Sequence, residues 1–303
     1  MLEEYFLVGY LAPPTYENEL IDNKHKSPVE VRLQHDGTNI DIYDFHADLP
    51  PVEALVIQTD FDSDAKKLKF LDLLKPLLLQ VFFGNFTKDF YLDQVHRPRH
   101  YGKGLAPLFG NFLEPLSLTP WWVVPCVWLP PNLFFFYLGF INQHWLTAIL
   151  MWVMGLFVWT LVEYCLHRFL FHLDGYLPDH PAAFTVHFLL HGIHHYLPMD
   201  GYRLVLPPTL FIFLAYPFYK LVFAIFPFYM ACLGFAGGTL GYICYDVTHY
   251  VLHHTALPLY LQKIKKLHLE HHYKNYEMGF GVTSPFWDVV FGTEITATFD
   301  KRK

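Results

Sequence analysis

The chain has 303 residues, of which 53% are hydrophobic, 19% aromatic and only 16% charged. A soluble domain carries about 25% charged residues, so this composition points to a membrane protein. The formal net charge of −7, with no basic patch interleaved with aromatic residues, excludes a nucleic-acid-binding balance.

Residues 1–75 read as an N-terminal segment of soluble character, mixing charges and prolines around one extended-looking run, Ala54–Ile57. The opening, Met1–Ala12, has no basic region followed by a long apolar run, so no signal peptide is expected. Residues 76–120 are amphipathic and loop-rich and end in Leu118-Thr-Pro-Trp-Trp122. Four stretches then approach the roughly 20 apolar residues that a bilayer core of about 30 Å requires of a helix. They are 121–140, 145–164, 207–226 and 227–245. The second has no charge before Glu163, whereas the third contains Pro217 and Lys220, and Pro227 predicts a tight hairpin between the last two. The four cysteines, Cys126, Cys165, Cys232 and Cys244, sit in apolar surroundings without a Cys-x-x-Cys pair, which suits small core residues.

The loops carry an orientation. Asn142–His144 and the turn at Pro227 hold no Lys or Arg. Arg97, Arg99 and Lys103 precede the first stretch, Arg168 and Arg203 separate the second from the third, and Lys263, Lys265 and Lys266 follow the fourth. The positive-inside rule then puts both termini on the cytosolic side. The fold class expected is an all-α membrane protein, with about four transmembrane helices capped by a cytosolic helical domain.

Histidines dominate that cap. After the second stretch come His167-x4-His172 and His191-x2-His194-His195; after the fourth come His249-x3-His253 and His268-x2-His271-His272. Neutral imidazole is a common ligand for iron and zinc. Residues i, i+3 and i+4 share a helix face, so each His-x-x-His-His triplet is expected to converge. Ten imidazoles exceed one ion and imply two metals, and the even number of spans between the groups lets them meet in one site. His167 and His172 are five apart, off-face on a straight helix, so that helix is expected to end near Phe169–Phe171. His187, four before His191, is expected beside the ligands rather than among them. His180 and His254 are expected outside the set, and His96 and His100 in a loop facing headgroups, with the lining of a substrate entrance as the alternative. Two acids have helical spacing to orient a metal-bound ring, Glu163 four before His167 and Asp246 three before His249; each also suits a polar residue at a membrane boundary. Tyr242 and Tyr245 either line a cavity and hydrogen-bond a substrate headgroup or belong to an aromatic belt.

These motifs resemble the fatty acid hydroxylase and sterol desaturase superfamily of membrane di-iron proteins, and within it the fatty acid 2-hydroxylases of fungal type. The resemblance runs from Pro76 to Thr293. It rests on Asp89–Arg99 (DFYLDQVHRPR), His187–Asp200 (HFLLHGIHHYLPMD), Lys263–Asn275 (KIKKLHLEHHYKN) and Gly279–Trp287 (GFGVTSPFW). It implies a hydroxylase domain over 76–303, in the endoplasmic reticulum membrane, that hydroxylates carbon 2 of very long acyl chains destined for ceramide. The family's ten metal positions map onto the ten histidines named above. The resemblance further implies two iron ions in the active enzyme, with zinc able to take their place on purification because it binds nitrogen sites more tightly. Family members often carry an N-terminal cytochrome b5 domain with a His-Pro-Gly-Gly haem motif. That motif is absent here and only residues 1–12 resemble the end of such a domain, so no haem is expected on these residues. Electrons are expected from cytochrome b5 and its reductase. Free fatty acid, acyl-CoA and ceramide all remain open as substrates. The alternatives are another superfamily activity, sterol oxidation or acyl desaturation, and, from a different class, a metal-ion transporter, whose polar ligands belong inside the spans and not after them.

Overall fold

The structure, a computed structural model, describes residues 59–101, 105–255 and 257–295. The chain divides into two compact units, 1–42 and 43–303, and every described residue belongs to the second. The run Ala54–Ile57, the opening Met1–Ala12 and Lys103 lie outside the described residues. Among the described residues there is helix and turn but no strand.

Among the described residues three short helices come first: α1 (Phe61–Leu68), α2 (Leu77–Phe83) and α3 (Lys88–Val95). Asp60 caps α1 by accepting the Ser63 N–H at 3.2 Å, and Thr87 caps α3 through Phe90. Leu71, Leu73, Leu77, Tyr91 and Val95 pack with Phe184, Phe188 and Tyr196 in one apolar cluster. Residues on both sides of position 75 therefore share the core of the cap.

Among the described residues, four helices are long and apolar enough to cross a membrane: α4 (Val123–Phe140), α5 (Trp145–Cys165), α8 (Pro208–Ile225) and α9 (Phe228–His254). The chain is thus a multi-pass membrane protein. Between α5 and α8 run a π-helical turn (Leu166–Phe171), a 3-10 turn (Asp174–Tyr176), α6 (Pro181–His187), a second π-helical turn (Phe188–Gly192) and α7 (Ile193–Tyr196). After α9 come α10 (Leu259–Tyr273) and α11 (Phe286–Phe291). The hairpin at Pro227 forms as the sequence predicts, with Phe226 extended (φ −109°, ψ 149°) between the two helices. The fourth span differs from its predicted end at 245. It runs unbroken to His254, so one helix both crosses the membrane and carries His249 and His253.

α9 is the central span, packed along α5 and α4, and it is the most buried of the four. Small residues make this possible, as is usual where helices meet in a bilayer. A Cβ on Gly155 of α5 would strike the Gly234 carbonyl, and one on Gly237 would strike the Trp152 carbonyl. Asn132, buried in α4, spends its amide on the Ala236 carbonyl of α9 at 2.6 Å, which avoids an unpaired polar group in hydrocarbon.

Candidate metal centre

The ten histidines fall into two groups of five, whose ring nitrogens lie within 4.8 Å of one another in each group. The first contains His167, His172, His191, His195 and His271; the second contains His194, His249, His253, His268 and His272. Nine are under 6% exposed, and His172 has a side chain 3% exposed.

This grouping corrects the expected convergence of each triplet. His191 and His195 go to one group and the intervening His194 to the other; His268 and His272 go to one and His271 to the other. The reason is angular. At 3.6 residues per turn, position i+4 lies about 40° past i, whereas i+3 falls about 60° short of it, on the other side. The two groups consequently exchange one residue each and stand side by side, with the His195 and His272 ring centroids 4.3 Å apart.

His172 joins His167 through backbone geometry. The helix widens to a π turn over Leu166–Phe171, with the His172 N–H donating to the His167 carbonyl at 3.0 Å. A spacing of five is one turn of π-helix, and such turns concentrate at functional sites. The chain leaves helical geometry at His172 (φ −100°, ψ 54°), as the sequence predicts.

The donor chemistry fits a pair of cations. Nδ1 of His167 donates to the Phe280 carbonyl at 2.6 Å and Nδ1 of His271 to the Met278 carbonyl at 2.7 Å. Carbonyls only accept, so these rings keep a bare lone pair on Nε2. Those lone pairs face other Nε2 atoms: His167 to His191 at 3.1 Å, His271 to His172 at 3.0 Å, and His195 to both His191 and His172 at 3.1 Å. In the second group, His268 Nε2 faces His253 at 2.8 Å and His272 at 3.1 Å. Separations near 3 Å are those of neighbouring nitrogens around one ion at ~2.1 Å. His194, 4% exposed, has neither ring nitrogen hydrogen-bonded within the protein. Burial holds His191, His194, His195, His268, His271 and His272 well below the usual 6.5, which keeps them neutral as metal ligation requires.

The carboxylate beside the rings is not one of those predicted. Glu163 accepts from the Thr283 N–H and hydroxyl at 2.8 Å, because the Phe280 carbonyl already takes His167. Asp246 accepts from the Leu206 N–H at 3.0 Å and the Tyr242 hydroxyl at 3.1 Å. Asp174 instead reaches the site, 3.4 Å from His172 Nδ1 and 3.0 Å from His187 Nε2. His187 also meets the Tyr91 hydroxyl at 2.8 Å, so it stands behind the rings. His96 is not in a headgroup-facing loop. It is buried, stacks on Tyr276 with centroids 3.7 Å apart, and lies 3.7 Å from Asp174; burial pushes it down to about 3. His100 lies near the Tyr273 hydroxyl at 3.5 Å. His180 caps α6, and His254 lies outside both groups. Only Asp174 among the missed groups left a sequence signal, its place two residues after His172; the carbonyls of Met278 and Phe280 left none.

A cavity of about 480 Å³ leads to the rings. Its walls come from α5, α8 and α9, and it runs from Val222 and Gly234 to His191, His194 and His249. Tyr242, Tyr245, Asp246 and Glu163 line it near the histidines, and Phe109, Leu116 and Arg203 line it as well.

An all-helical membrane protein with paired histidine groups at the end of an apolar cavity is the class that fold and site define. The family model for fatty acid hydroxylases matches residues 152–293. The ceramide very long chain fatty acid hydroxylase of Saccharomyces cerevisiae is 59% identical over 293 residues, covering 97% of this chain and 76% of that protein. The dihydroceramide fatty acyl 2-hydroxylase FAH1 of Arabidopsis thaliana is 43% identical over 237 residues, covering 77% of this chain and 97% of that protein. A solved structure of full-length scs7p, in which only the hydroxylase domain is visible, matches with a TM-score of 0.81 and 61% identity, covering 82% of this chain and 94% of that one. The chain belongs to the fatty acid hydroxylase family.

Proposed function

We propose that the chain 2-hydroxylates very long acyl chains in sphingolipid synthesis, as a metal-dependent monooxygenase of the endoplasmic reticulum membrane. The observation that carries this reading is the gathering of ten neutral imidazoles, in two groups of five, at the inner end of a cavity between membrane spans. Two iron ions, held one by each group, would supply the redox chemistry that turns the C–H bond at carbon 2 into C–OH, consuming O2, two electrons and two protons and releasing water.

The chain's own residues do the rest. The Phe280 and Met278 carbonyls and Asp174 fix the rings of His167, His271 and His172 with Nε2 turned inwards. The apolar walls of α5, α8 and α9 take the acyl tail and keep water from the reacting carbon. Tyr242, Tyr245 and Asp246 stand where the carbonyl end of the substrate would lie. Arg203, also in the cavity wall, is flanked by Asp200 at 2.7 Å and by Glu114. Two carboxylates more than offset its charge, which supports the uncharged amide of a ceramide over a carboxylate or the phosphates of an acyl-CoA. Loop charges support cytosolic termini and a cytosolic metal centre, within reach of cytochrome b5 and its reductase.

The test is lipid mass spectrometry on cells lacking their own 2-hydroxylase, expressing this chain together with cytochrome b5. The expected result is a sphingolipid acyl chain heavier by one oxygen, located at carbon 2. Loss of two hydrogens, or oxygen at another carbon, would replace this reading with a sister activity of the family.

A further inference from the structure

The short helix α11 (Phe286–Phe291) presents large apolar side chains outwards. Phe286, Val289, Val290 and Phe291 are 51%, 56%, 53% and 48% exposed, while its one charged residue, Asp288, is 2% exposed. In water such a patch marks a binding surface. Here its neighbours set its depth. Trp287 Nε1 donates to Thr160 Oγ1 at 3.0 Å, the Trp287 and Phe157 rings lie 6.0 Å apart, and Phe291 stacks on Tyr164 at 5.3 Å. Phe157 lies eight residues before the end of α5, roughly 12 Å inside the span at 1.5 Å per residue. It is itself 57% exposed on the outer, lipid-facing side of that span. α11 is thus fastened to the outside of a membrane-crossing helix, along its stretch 157–164.

At six residues α11 is too short to cross. Gly292, at φ +66°, ends it in the left-handed region, and the Gly279 N–H donates to the Thr293 carbonyl at 2.7 Å, closing the loop at its base. A loop at membrane depth must satisfy its backbone internally, and buried carboxylates take three of its N–H groups. Asp288 accepts the N–H groups of Phe280 at 2.9 Å and Gly281 at 2.8 Å, and Glu163 accepts that of Thr283 at 2.8 Å. This gives Glu163, a carboxylate near the end of a span, a use that metal orientation does not. Between α11 and α5 lies a second cavity of about 280 Å³, walled by Phe157, Tyr164, Phe286 and Trp287.

We propose that residues 279–293 form a re-entrant element whose helix α11 is embedded in the bilayer leaflet on the cap side, its outward face covered by lipid acyl chains. The element is rigidly joined to the metal centre, because the Phe280 carbonyl that Asp288 holds in place is the partner of His167. Its embedding is independent of which reaction the centre performs.

The test uses the full chain with its four cysteines replaced by alanine and one cysteine returned at Val289 or, separately, at Val290. Both side chains are exposed, so either substitution leaves the packing intact, and elution profile and metal content check each variant. Each is labelled with a bimane fluorophore and placed in phosphatidylcholine vesicles with brominated acyl chains. Val153→Cys on the lipid-facing side of α5 is the membrane reference, and Glu277→Cys in the cap is the aqueous one. Quenching by brominated chains within about twofold of the Val153 variant, with little quenching by iodide, is expected. Iodide quenching equal to that of the Glu277 variant overturns the proposal, and so does protection from both quenchers, which would mean that protein covers the face.

Discussion

At the residue scale, the positions of the ten histidines were legible because their spacing is a helical periodicity written in one residue type. Their division into two groups was not, since it depends on the angle between i+3 and i+4 seen from helices whose mutual placement no spacing encodes. Asp174 was missed for a related reason. Helical offsets point to Glu163 and Asp246, but the chain has already left the helix at His172, so the carboxylate that matters comes from the turn. An outer partner of this kind typically changes metal affinity by about 10–100-fold. Asp174→Ala should therefore lower metal content after dialysis against a chelator from about two per chain towards one, emptying the group of His172 and sparing that of His249. Elemental analysis checks this, and unchanged resistance of both metals to the chelator would refute the role. Acid should act on both groups. Burial holds His191, His194, His195, His268, His271 and His272 below 6.5 in the fold, so the unfolded chain binds more protons below that value. Their contribution to stability is complete above about pH 6.5 and is lost as pH falls beneath it, and protonated rings also release metal. Thermal unfolding in detergent should show a flat Tm above pH 7 and a decline towards pH 5. A Tm that rises over that interval would contradict the neutral-ring assignment.

At the element scale, the spans could be read within a few residues because a bilayer imposes length and apolarity together. Two features escaped. The fourth span continues past 245 to His254 since nothing in hydropathy marks where a helix leaves the membrane if the helix itself does not stop. The π turn at Leu166–Phe171 showed only as an awkward spacing of five. The glycines of α9 were visible but undifferentiated, and the structure separates them. A Cβ at Gly237 meets the Trp152 backbone, whereas one at Gly238 finds only the Gly155 carbonyl, at 3.7 Å. Backbone cannot move aside as a flexible side chain can, and overpacking costs about 1–3 kcal/mol. Gly237→Ala should thus lower the Tm of the solubilised protein by several degrees while Gly238→Ala leaves it near the starting value. Equal effects of the two substitutions would show that α5 and α9 do not approach as closely as described.

At the scale of the whole molecule, the sequence predicted that an even number of spans would bring the two histidine groups together, and they meet. What no local pattern encodes is the cavity, because its walls set α5 against the α8–α9 hairpin, and no spacing records that meeting. Its length follows from α9, which lines it from Gly234 to His249. Fifteen residues at 1.5 Å each span about 22 Å. An extended chain of ~1.5 Å carbon–carbon bonds at near-tetrahedral angles advances about 1.25 Å per carbon, so the cavity accommodates roughly 18 carbons between the histidines and its far end. A longer acyl chain must send its last carbons out between the helices into the bilayer, which permits very long chains without a protein tunnel of matching length. Gly238 lines this path and lies eleven residues from His249, about 16 Å along the helix. Gly238→Phe places a ring across the path at a depth of about 13 carbons. Metal content should remain that of the unsubstituted chain, because the ring is far from both groups. Products from very long chains should fall at least tenfold, while those from chains short enough to end before residue 238 persist. Lipid mass spectrometry over a series of chain lengths reads this directly. A uniform loss across all lengths would indicate damage to the bundle, and undiminished very long chain products would mean that the acyl tail takes another route.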